Sequence, residues 1–219
     1  MKELGIGVIG VGLWGENHLK VYKDNPNCRV IGISDMNERR AEEIAKKYNV
    51  KIWSKDYRAL LDNKDIDIVS IVVPDFEHYK PVCQAAEAGK NILVEKPLAT
   101  DLEEAQKMVQ VCKKNRVKIM VDFSNRWNPA FVNVKNAIVE GELGRLLHCS
   151  MILNDTIFVP TVMLKWAELT KVVHFIGSHA IDLLCWLTST LFNKRNRYSP
   201  AEEIIVFKSP SSTITYLYS

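Results

Sequence analysis

The stretch LGIGVIGVGLWGENHLK, residues 4–20, decides the fold of the first half of the chain. It opens with short apolar residues typical of a buried parallel strand and ends in a run that can form a helix. Between them lie Gly10, Gly12 and Gly15 in G-x-G-x-x-G spacing. The first glycine permits a tight turn, the second lets the backbone approach a pyrophosphate, and the third lets helix and strand pack closely, while the helix N-terminus offers free N–H groups. The stretch therefore predicts a dinucleotide site, against the plainer interpretation of a structural glycine turn.

An acid at the end of the next predicted strand supports the dinucleotide interpretation. Residues 28–34 are predicted to form a strand, and Asp35 follows it twenty residues after Gly15, where a carboxylate meets the adenosine ribose hydroxyls. Such an acid repels the additional phosphate of NADP and therefore favours NAD. Arg39 and Arg40 lie close enough in sequence to keep NADP as an alternative, although both also fit solvated helix charges.

Composition excludes several classes of function. The 219 residues are 47% hydrophobic and 25% charged, with a formal net charge of +3, as in ordinary globular proteins. That charge is too small to predict a nucleic-acid partner, no apolar run is long enough for a membrane helix, and the N-terminal residues lack a signal-peptide pattern. The five scattered cysteines form no C-x-x-C pair, which argues against a disulfide framework or a zinc site. We therefore expect a cytoplasmic protein with no metal site and no membrane or nucleic-acid partner.

Strand and helix patterns alternate up to residue 121. After Asp35 the predicted strands are residues 50–53, 66–73, 91–94 and 117–121, and the predicted helices are residues 37–48, 57–61, 76–88 and 101–114. This alternation predicts an α/β fold with a Rossmann doubly wound parallel sheet. Ligands of such sheets bind beyond the carboxyl ends of the strands. Gly10, Asp35, Pro74 and the triplet Glu95-Lys96-Pro97 all lie at such ends, so we expect them to share one site.

The pattern changes past residue 121, and we place a domain boundary near Asp122. Residues 1–122 then form an NAD(P)-binding domain, and residues 123–219 form a smaller α+β domain for substrate and oligomer contacts. The elements predicted in this second domain are helices at 129–140 and 178–187, a strand at 146–153, and a hairpin of residues 203–208 and 213–218.

Several segments together resemble the Gfo/Idh/MocA oxidoreductase family, named for glucose–fructose oxidoreductase and inositol dehydrogenase. They are GVIGVGLWG at 7–15, DIDIVSIVVPDFEHYKPVCQAAEAGKNILVEKPLA at 65–99, FSNRWNPAF at 123–131, GELG at 141–144 and GSHAIDLLCWL at 177–187. The Glu95-Lys96-Pro97 triplet is much more specific than the glycine loop. The resemblance implies a nicotinamide-binding Rossmann domain, followed by an α/β domain whose open sheet carries substrate contacts and often the oligomer interface.

Two departures from the family pattern bear on function. Family members are usually longer, because the second domain has more strands, so we expect a C-terminally shortened or truncated member. Many members also carry an acid four residues before the histidine of the G-x-H-x-x-D segment, where this chain has Phe175. An Asp–His pair is therefore absent here, which bears on any proton relay through that histidine.

The resemblance also implies roles for individual residues. Lys96 resembles the family's catalytic lysine, which would hydrogen-bond the substrate hydroxyl with Glu95 orienting it; an ordinary surface lysine is the alternative. His179 resembles the general base, against a structural histidine on an apolar helix. Asp182 lies one turn further on and would contact His179, the substrate or only its helix surroundings. The residues expected at the cofactor are Gly10, Gly12, Leu13, Trp14, Gly15, Asp35, Arg40, Pro74, His78, Glu95 and Lys96.

Two functions follow as hypotheses. The first is an NAD(P)-dependent dehydrogenase acting on a CH–OH group of a sugar, cyclitol or nucleotide sugar, with Asn125 and Arg126 joining Lys96 and His179 at the substrate. Arg126 fits a surface ion pair equally well. The second is a non-catalytic NAD(P)-binding sensor or partner-binding protein, which Phe175 and the short second domain favour. In either case we expect a homo-oligomer that covers the exposed edge of the C-terminal hairpin.

Overall fold

The computed structural model describes residues 3–144, 146–193, 203–209 and 212–218. Strands and helices alternate through the first part of the chain, as the sequence predicts. They are β1 (Leu4–Ile9), α1 (Leu13–Asp24), β2 (Cys28–Ser34), α2 (Glu38–Tyr48), β3 (Ile52–Ser54), α3 (Arg58–Leu61), β4 (Ile68–Ile71), α4 (Tyr79–Glu87), β5 (Asn91–Glu95), α5 (Leu102–Lys114) and β6 (Ile119–Asp122).

All six strands are parallel and lie in the order β3-β2-β1-β4-β5-β6. This is the strand order of a doubly wound sheet, so the predicted Rossmann fold is confirmed. The chain reverses its direction of winding between β1 and β4, which opens a crevice beyond their carboxyl ends. The glycine-rich turn leaves β1 at that point.

Two apolar cores hold the helices against the sheet. One core includes Leu19 of α1 and Ile44 of α2, packed with β1 and β2 residues. The other includes Val82 of α4 and Met108 of α5, packed with residues of β4 and β5. The central strands β1 and β4 are almost wholly buried between these layers, which is why they are free of charged residues and mostly hydrophobic.

Helix ends follow local signals in the sequence. The side chain of Asn37 caps α2 by accepting a hydrogen bond from the Arg40 amide, and Asp101 caps α5 by accepting one from the Glu104 amide. Gly89 and Gly141 follow α4 and α6 (Pro129–Glu140) with φ angles of 73° and 82°. Left-handed backbone of this kind favours glycine and ends helices sharply.

The region after β6 is built differently. Besides α6 it contains α7 (Ser178–Asn193), two π-helical turns (Val159–Met163 and Val173–Gly177) and an antiparallel hairpin. The hairpin strands are β7 (Glu203–Ser209) and β8 (Ser212–Tyr218), so the predicted hairpin is confirmed, while its turn residues 210 and 211 lie outside the described residues.

The strand predicted at 146–153 is wrong. These residues form no regular element, and the strands β1–β6 and β7–β8 make up the two sheets of the described chain without them. A strand needs a neighbour for its backbone N–H and C=O groups, and alternating side chains alone cannot supply one. Within the described residues, no helix combines the length and the apolar character needed to cross a membrane.

Candidate functional site

The three glycines of the turn after β1 have three different surroundings. A Cβ on Gly10, whose φ is 85°, would lie 2.3 Å from the Val72 carbonyl oxygen, and one on Gly15 would lie 1.9 Å from the Gly10 carbonyl oxygen. A Cβ on Gly12 would meet nothing within 4 Å. Gly10 and Gly15 are therefore required by the fold itself, whereas Gly12 borders open space at the N-terminus of α1. That free approach to the backbone is what a pyrophosphate needs.

Asp35 lies beside the same turn. Its carboxylate accepts hydrogen bonds from the amides of Val11 and Asn37, both at 2.9 Å. These two bonds use one oxygen each and hold the carboxylate at the carboxyl end of β2. Since a carboxylate oxygen accepts more than one hydrogen bond, Asp35 keeps acceptor capacity for ribose hydroxyls.

Arg40 is not a solvated helix charge. Its Nε donates to the Val11 carbonyl oxygen at 2.9 Å, and its Nη2 donates to Glu16 Oε2 at 2.6 Å. Glu16 is buried, and Lys47 and Tyr48 also donate to it, at 2.7 Å and 2.8 Å. Hydrogen bonds from Lys47 and Tyr48, joined by that from Arg40, lower the pKa of Glu16 to about 2. Arg40 is thus fixed beside the glycine-rich turn by a carboxylate that stays ionised.

Glu95 connects the glycine-rich turn to the Lys96 segment. One oxygen of its carboxylate accepts hydrogen bonds from Trp14 Nε1 at 2.8 Å and from His18 Nε2 at 2.9 Å. The other oxygen accepts from the Lys96 amide at 3.2 Å. Burial alone would raise the pKa of Glu95, but the hydrogen bond from His18 and the nearby charges of His18 and Lys96 lower it. Glu95 is therefore an ionised, buried link that sets the backbone position of Lys96.

His18 also approaches a second carboxylate. Its Nε2 lies 3.5 Å from Asp122 Oδ2, and its Nδ1 lies 3.0 Å from the Ser70 hydroxyl. Burial, and then the charge of Glu95, raise the pKa of Asp122. Atoms of His18, Glu95 and Asp122 that could bind a metal ion lie within 4.8 Å of one another. In this arrangement His18 donates to Glu95, which in turn supports the backbone of Lys96.

Lys96 lies at the end of β5, at the boundary between the sheet and the second region. Its Nζ donates to the Phe175 carbonyl oxygen at 2.8 Å and lies 4.8 Å from the centroid of the Phe175 ring. Burial lowers the pKa of Lys96, opposed by the charges of Glu95 and Asp75. An ammonium group carries three N–H donors, so the bond to Phe175 leaves donor capacity for a ligand.

The structure brings His179 to the surroundings of Lys96. Burial, followed by the positive charge of Lys96, lowers the pKa of His179 below 6.5. Its Nδ1 is buried without a hydrogen-bond partner among the described residues. A buried ring nitrogen without a partner costs stability unless a ligand or water satisfies it, so Nδ1 is a candidate atom for a ligand contact.

Arg126 and Asp182 are joined to each other. Arg126 Nε donates to Asp182 Oδ2 at 2.8 Å, and Nη2 donates to Oδ1, giving a two-bond ion pair. Beside this pair lies a cavity of about 380 Å³ whose lining includes Pro97, Phe123 and Ser178 as well as Asp182. Its volume is in the range of small-molecule sites. Of the alternatives for Arg126, the ion pair is the one the structure contains.

The other predicted residues are more dispersed. Leu13 and Trp14 are exposed on the first turn of α1, and Pro74 precedes the short turn Asp75–Glu77. His78 is fully buried, with Nδ1 2.9 Å from the Pro97 carbonyl oxygen and Nε2 3.1 Å from that of Val73. His78 therefore links the segments after β4 and β5. Asn125 is half-buried in the turn Ser124–Trp127.

Sequence reasoning missed Glu16, His18 and Asp122. For His18 a signal was available: Trp14 and His18 are four residues apart, so they share a helix face, and that face meets Glu95. For Glu16 and Asp122 the local sequence gives no comparable signal, since their partners come from elements distant in sequence.

Comparison with known proteins shows which family the sequence matches. The sequence profile of the Gfo/Idh/MocA oxidoreductases, described as an oxidoreductase family with an NAD-binding Rossmann fold, matches residues 4–123. A scyllo-inositol 2-dehydrogenase (NAD(+)) from Bacillus subtilis is 33% identical over 164 residues, which cover 74% of this chain and 48% of that protein. A levoglucosan dehydrogenase from Pseudarthrobacter phenanthrenivorans is 32% identical over 202 residues, covering 85% of this chain and 52% of the relative.

A solved structure extends the comparison to the fold. Scyllo-inositol dehydrogenase from Lactobacillus casei, crystallised with NAD(H) and scyllo-inositol, superimposes with a TM-score of 0.75 at 22% identity, covering 86% of this chain and 57% of that one. At this identity the likeness concerns the fold alone. The chain spans about half the length of the curated relatives it matches.

Proposed function

The chain belongs to the Gfo/Idh/MocA oxidoreductase family, an oxidoreductase family with an NAD-binding Rossmann fold. From this premise we propose that the protein is an NAD-dependent dehydrogenase acting on a CH–OH group of a cyclitol, sugar or similar polyol. The observation that carries the proposal is the proximity of Lys96, directly after β5, to His179: Lys96 bonds the Phe175 carbonyl four residues before His179, and burial, followed by the charge of Lys96, lowers the pKa of the histidine. Support for the substrate class comes from the relatives, which are named as inositol and levoglucosan dehydrogenases.

The crevice suits the cofactor at both ends. Gly12 leaves the backbone open to a diphosphate, and Asp35 offers acceptors to ribose hydroxyls. At the other end, Glu95 fixes the backbone of Lys96 beside the carboxyl end of β5. When bound, NAD supplies the acceptor for a hydride. We also propose that the nucleotide-binding domain ends near residue 122, where β6 ends and one residue before the family match ends.

Lys96 and His179 divide the proton chemistry. The ammonium of Lys96 would donate a hydrogen bond to the substrate hydroxyl in place of, or beside, the Phe175 carbonyl, and would steady negative charge that develops on that oxygen. The lowered pKa of His179 keeps its ring neutral at pH 7, so a ring nitrogen is free to accept the hydroxyl proton. The unpartnered Nδ1 is the candidate atom.

The test separates cofactor binding from turnover. We expect wild-type protein to bind NAD in calorimetry and to reduce it when supplied with members of a panel of inositols and sugars. Lys96→Ala and His179→Gln should lower kcat by about a hundredfold or more while NAD affinity changes by less than about threefold. Lys135→Ala is a matched control, because this lysine bonds the carbonyl groups of Trp186 and Leu187, away from the crevice. Turnover by Lys96→Ala at the wild-type rate would contradict the proposal.

A second candidate is a cofactor-binding protein without catalysis. Two observations favour it: Lys96 is already bonded to Phe175, which stands where many relatives have an acid, and Arg126 and Asp182 satisfy each other. The same panel distinguishes the two. NAD binding without turnover on any polyol, with NAD or with NADP, would favour the second candidate.

A further inference from the structure

Arg40 and Asp35 flank one residue of the glycine-rich turn. Asp35 accepts the Val11 amide at 2.9 Å, and Arg40 Nε donates to the Val11 carbonyl oxygen at 2.9 Å. The ribose hydroxyls of a dinucleotide meet the acid at this position, and a 2′-phosphate meets a nearby arginine when a protein binds NADP. Arg40 is therefore the side chain that a 2′-phosphate would need here.

The charge of Arg40 is already compensated. Arg40 Nη2 donates to Glu16 Oε2 at 2.6 Å, and the Glu16 side chain is only 12% exposed. Glu16 is also held by Lys47 and Tyr48, so it does not move freely. A second carboxylate, Glu43, lies 3.9 Å from Arg40 Nη1, but its side chain is 70% exposed, so its attraction is screened by water.

We propose that Glu16 is a specificity-determining residue for the cofactor. By binding Arg40, Glu16 withholds this cation from a 2′-phosphate and makes the site prefer NAD over NADP. Asp35 contributes repulsion of the phosphate, and Glu16 removes the attraction that would offset it. The inference rests on the proposed function, because it requires a dinucleotide at the glycine-rich turn.

The test compares NAD and NADP affinities by calorimetry in four proteins. In Glu16→Gln, Arg40 loses its ionic partner, and we expect the Kd for NADP to fall about five- to tenfold, as for a gained charge-assisted hydrogen bond at a partly exposed site. The Kd for NAD should change by less than about twofold, since NAD has no 2′-phosphate. Glu43→Gln, which removes the exposed carboxylate, should leave both affinities near those of the wild type.

The fourth protein, the double variant Glu16→Gln/Arg40→Ala, shows which cation binds the 2′-phosphate. Because Lys47 is also released when Glu16 is replaced, the gain in NADP affinity must disappear in Glu16→Gln/Arg40→Ala if Arg40 is the phosphate-binding group. A gain that persists in this double variant overturns the inference, and so does an unchanged Kd for NADP in Glu16→Gln.

A folding failure of Glu16→Gln and a lack of NAD binding by the wild type each have their own consequence. Should Glu16→Gln fail to fold, Glu16→Asp shortens the side chain by one methylene and should strengthen NADP binding in the same direction; no change in this variant overturns the inference. Wild-type protein that binds no NAD would overturn the proposed function and this inference together, whereas NAD binding with no change in NADP affinity in Glu16→Gln overturns this inference alone.

Discussion

Two buried glutamates, Glu16 in the first turn of α1 and Glu95 at the end of β5, anchor α1 to different neighbours. Glu16 draws Arg40, Lys47 and Tyr48 from α2 onto α1, next to the glycine-rich turn. Glu95 draws Trp14 and His18 from α1 onto the end of β5. Both stay ionised because donors surround them, and a buried carboxylate without such donors would be strongly destabilising. Helix α1, whose N-terminus borders the glycine-rich turn, is thereby fixed to α2 through Glu16 and to the end of β5 through Glu95.

The lowered pKa of Glu16 predicts a pH-dependent contribution to stability. Replacement by Gln should reduce the free energy of unfolding by about 1–3 kcal/mol at pH 7, because charge-assisted bonds are lost. The pKa of Glu16 falls from an ordinary 4.5 to about 2 on folding, so the unfolded state binds more protons and the contribution is complete above pH 4.5. Below that pH the contribution shrinks, and it is lost as the pH falls through about 2.

Urea unfolding of wild-type and Glu16→Gln proteins, from about pH 7 down to about pH 3, measures this difference directly. Glu42→Gln is the control, because Glu42 forms an exposed pair with Lys46 at 2.7 Å, and should cost less than about 0.5 kcal/mol. A stability difference between wild type and Glu16→Gln that does not decrease toward acid would show that the carboxylate charge is not what holds α1 to α2.

At the residue scale, the sequence predicts the position of a residue where that position depends on spacing along the chain. It does not predict contacts between side chains that come from different helices and strands. Asp35 lies where its distance from Gly15 predicts. The sequence leaves Arg40 open between a phosphate contact and a solvated charge. In the structure its side chain is only 27% exposed, because it forms an ion pair with Glu16, 24 residues earlier in the chain. Spacing within one helix cannot reveal such a partner.

At the element scale, the predictions that succeed rest on local chemistry. Caps at Asn37 and Asp101, the glycines after α4 and α6, and β-branched runs in the strands all act within a few residues, so the sequence displays them. The strand predicted at 146–153 fails because a strand requires a partner from elsewhere, and the described residues offer it none.

Two glycines in the turn from β1 to α1 allow NAD binding and folding stability to be tested separately. Gly12→Ala adds a methyl group to open space, so stability should change by only a few tenths of a kcal/mol, about the cost of losing a glycine N-cap, while NAD affinity falls about tenfold or more. Gly10→Ala instead forces a left-handed φ of 85° and a contact of 2.3 Å with backbone, and should cost about 2 kcal/mol or more of stability.

Thermal unfolding and calorimetry on the two glycine variants give the comparison. If Gly12→Ala binds NAD as well as the wild type does, the diphosphate does not approach this turn, and the proposed cofactor site is wrong. If Gly10→Ala is as stable as the wild type, the turn does not have the backbone described here.

At the scale of the whole molecule, the region after β6 carries strongly exposed apolar side chains. Leu147, Ile152 and Ile157 are 81%, 78% and 77% exposed, and they lie in the segment between α6 and the first π-helical turn. We expect these side chains to contribute to an interface, since a large exposed apolar patch marks one in soluble proteins. In addition, β7 and β8 pair only with each other in the described chain, and a lone two-stranded sheet is marginally stable with both edges open.

These features predict that copies of the chain associate. We expect sedimentation at micromolar concentration to give a mass of at least twice the 25.0 kDa of one chain. Because a symmetric dimer uses each surface twice, Ile152→Lys/Ile157→Lys should shift the protein strongly toward the monomer, whereas the control Met36→Lys, which changes an exposed apolar residue next to α2, should not. NAD affinity should be retained in the Ile152/Ile157 variant, since the crevice is built from β1, β2, β4 and β5. A wild-type protein that sediments as a 25.0 kDa monomer would contradict this prediction.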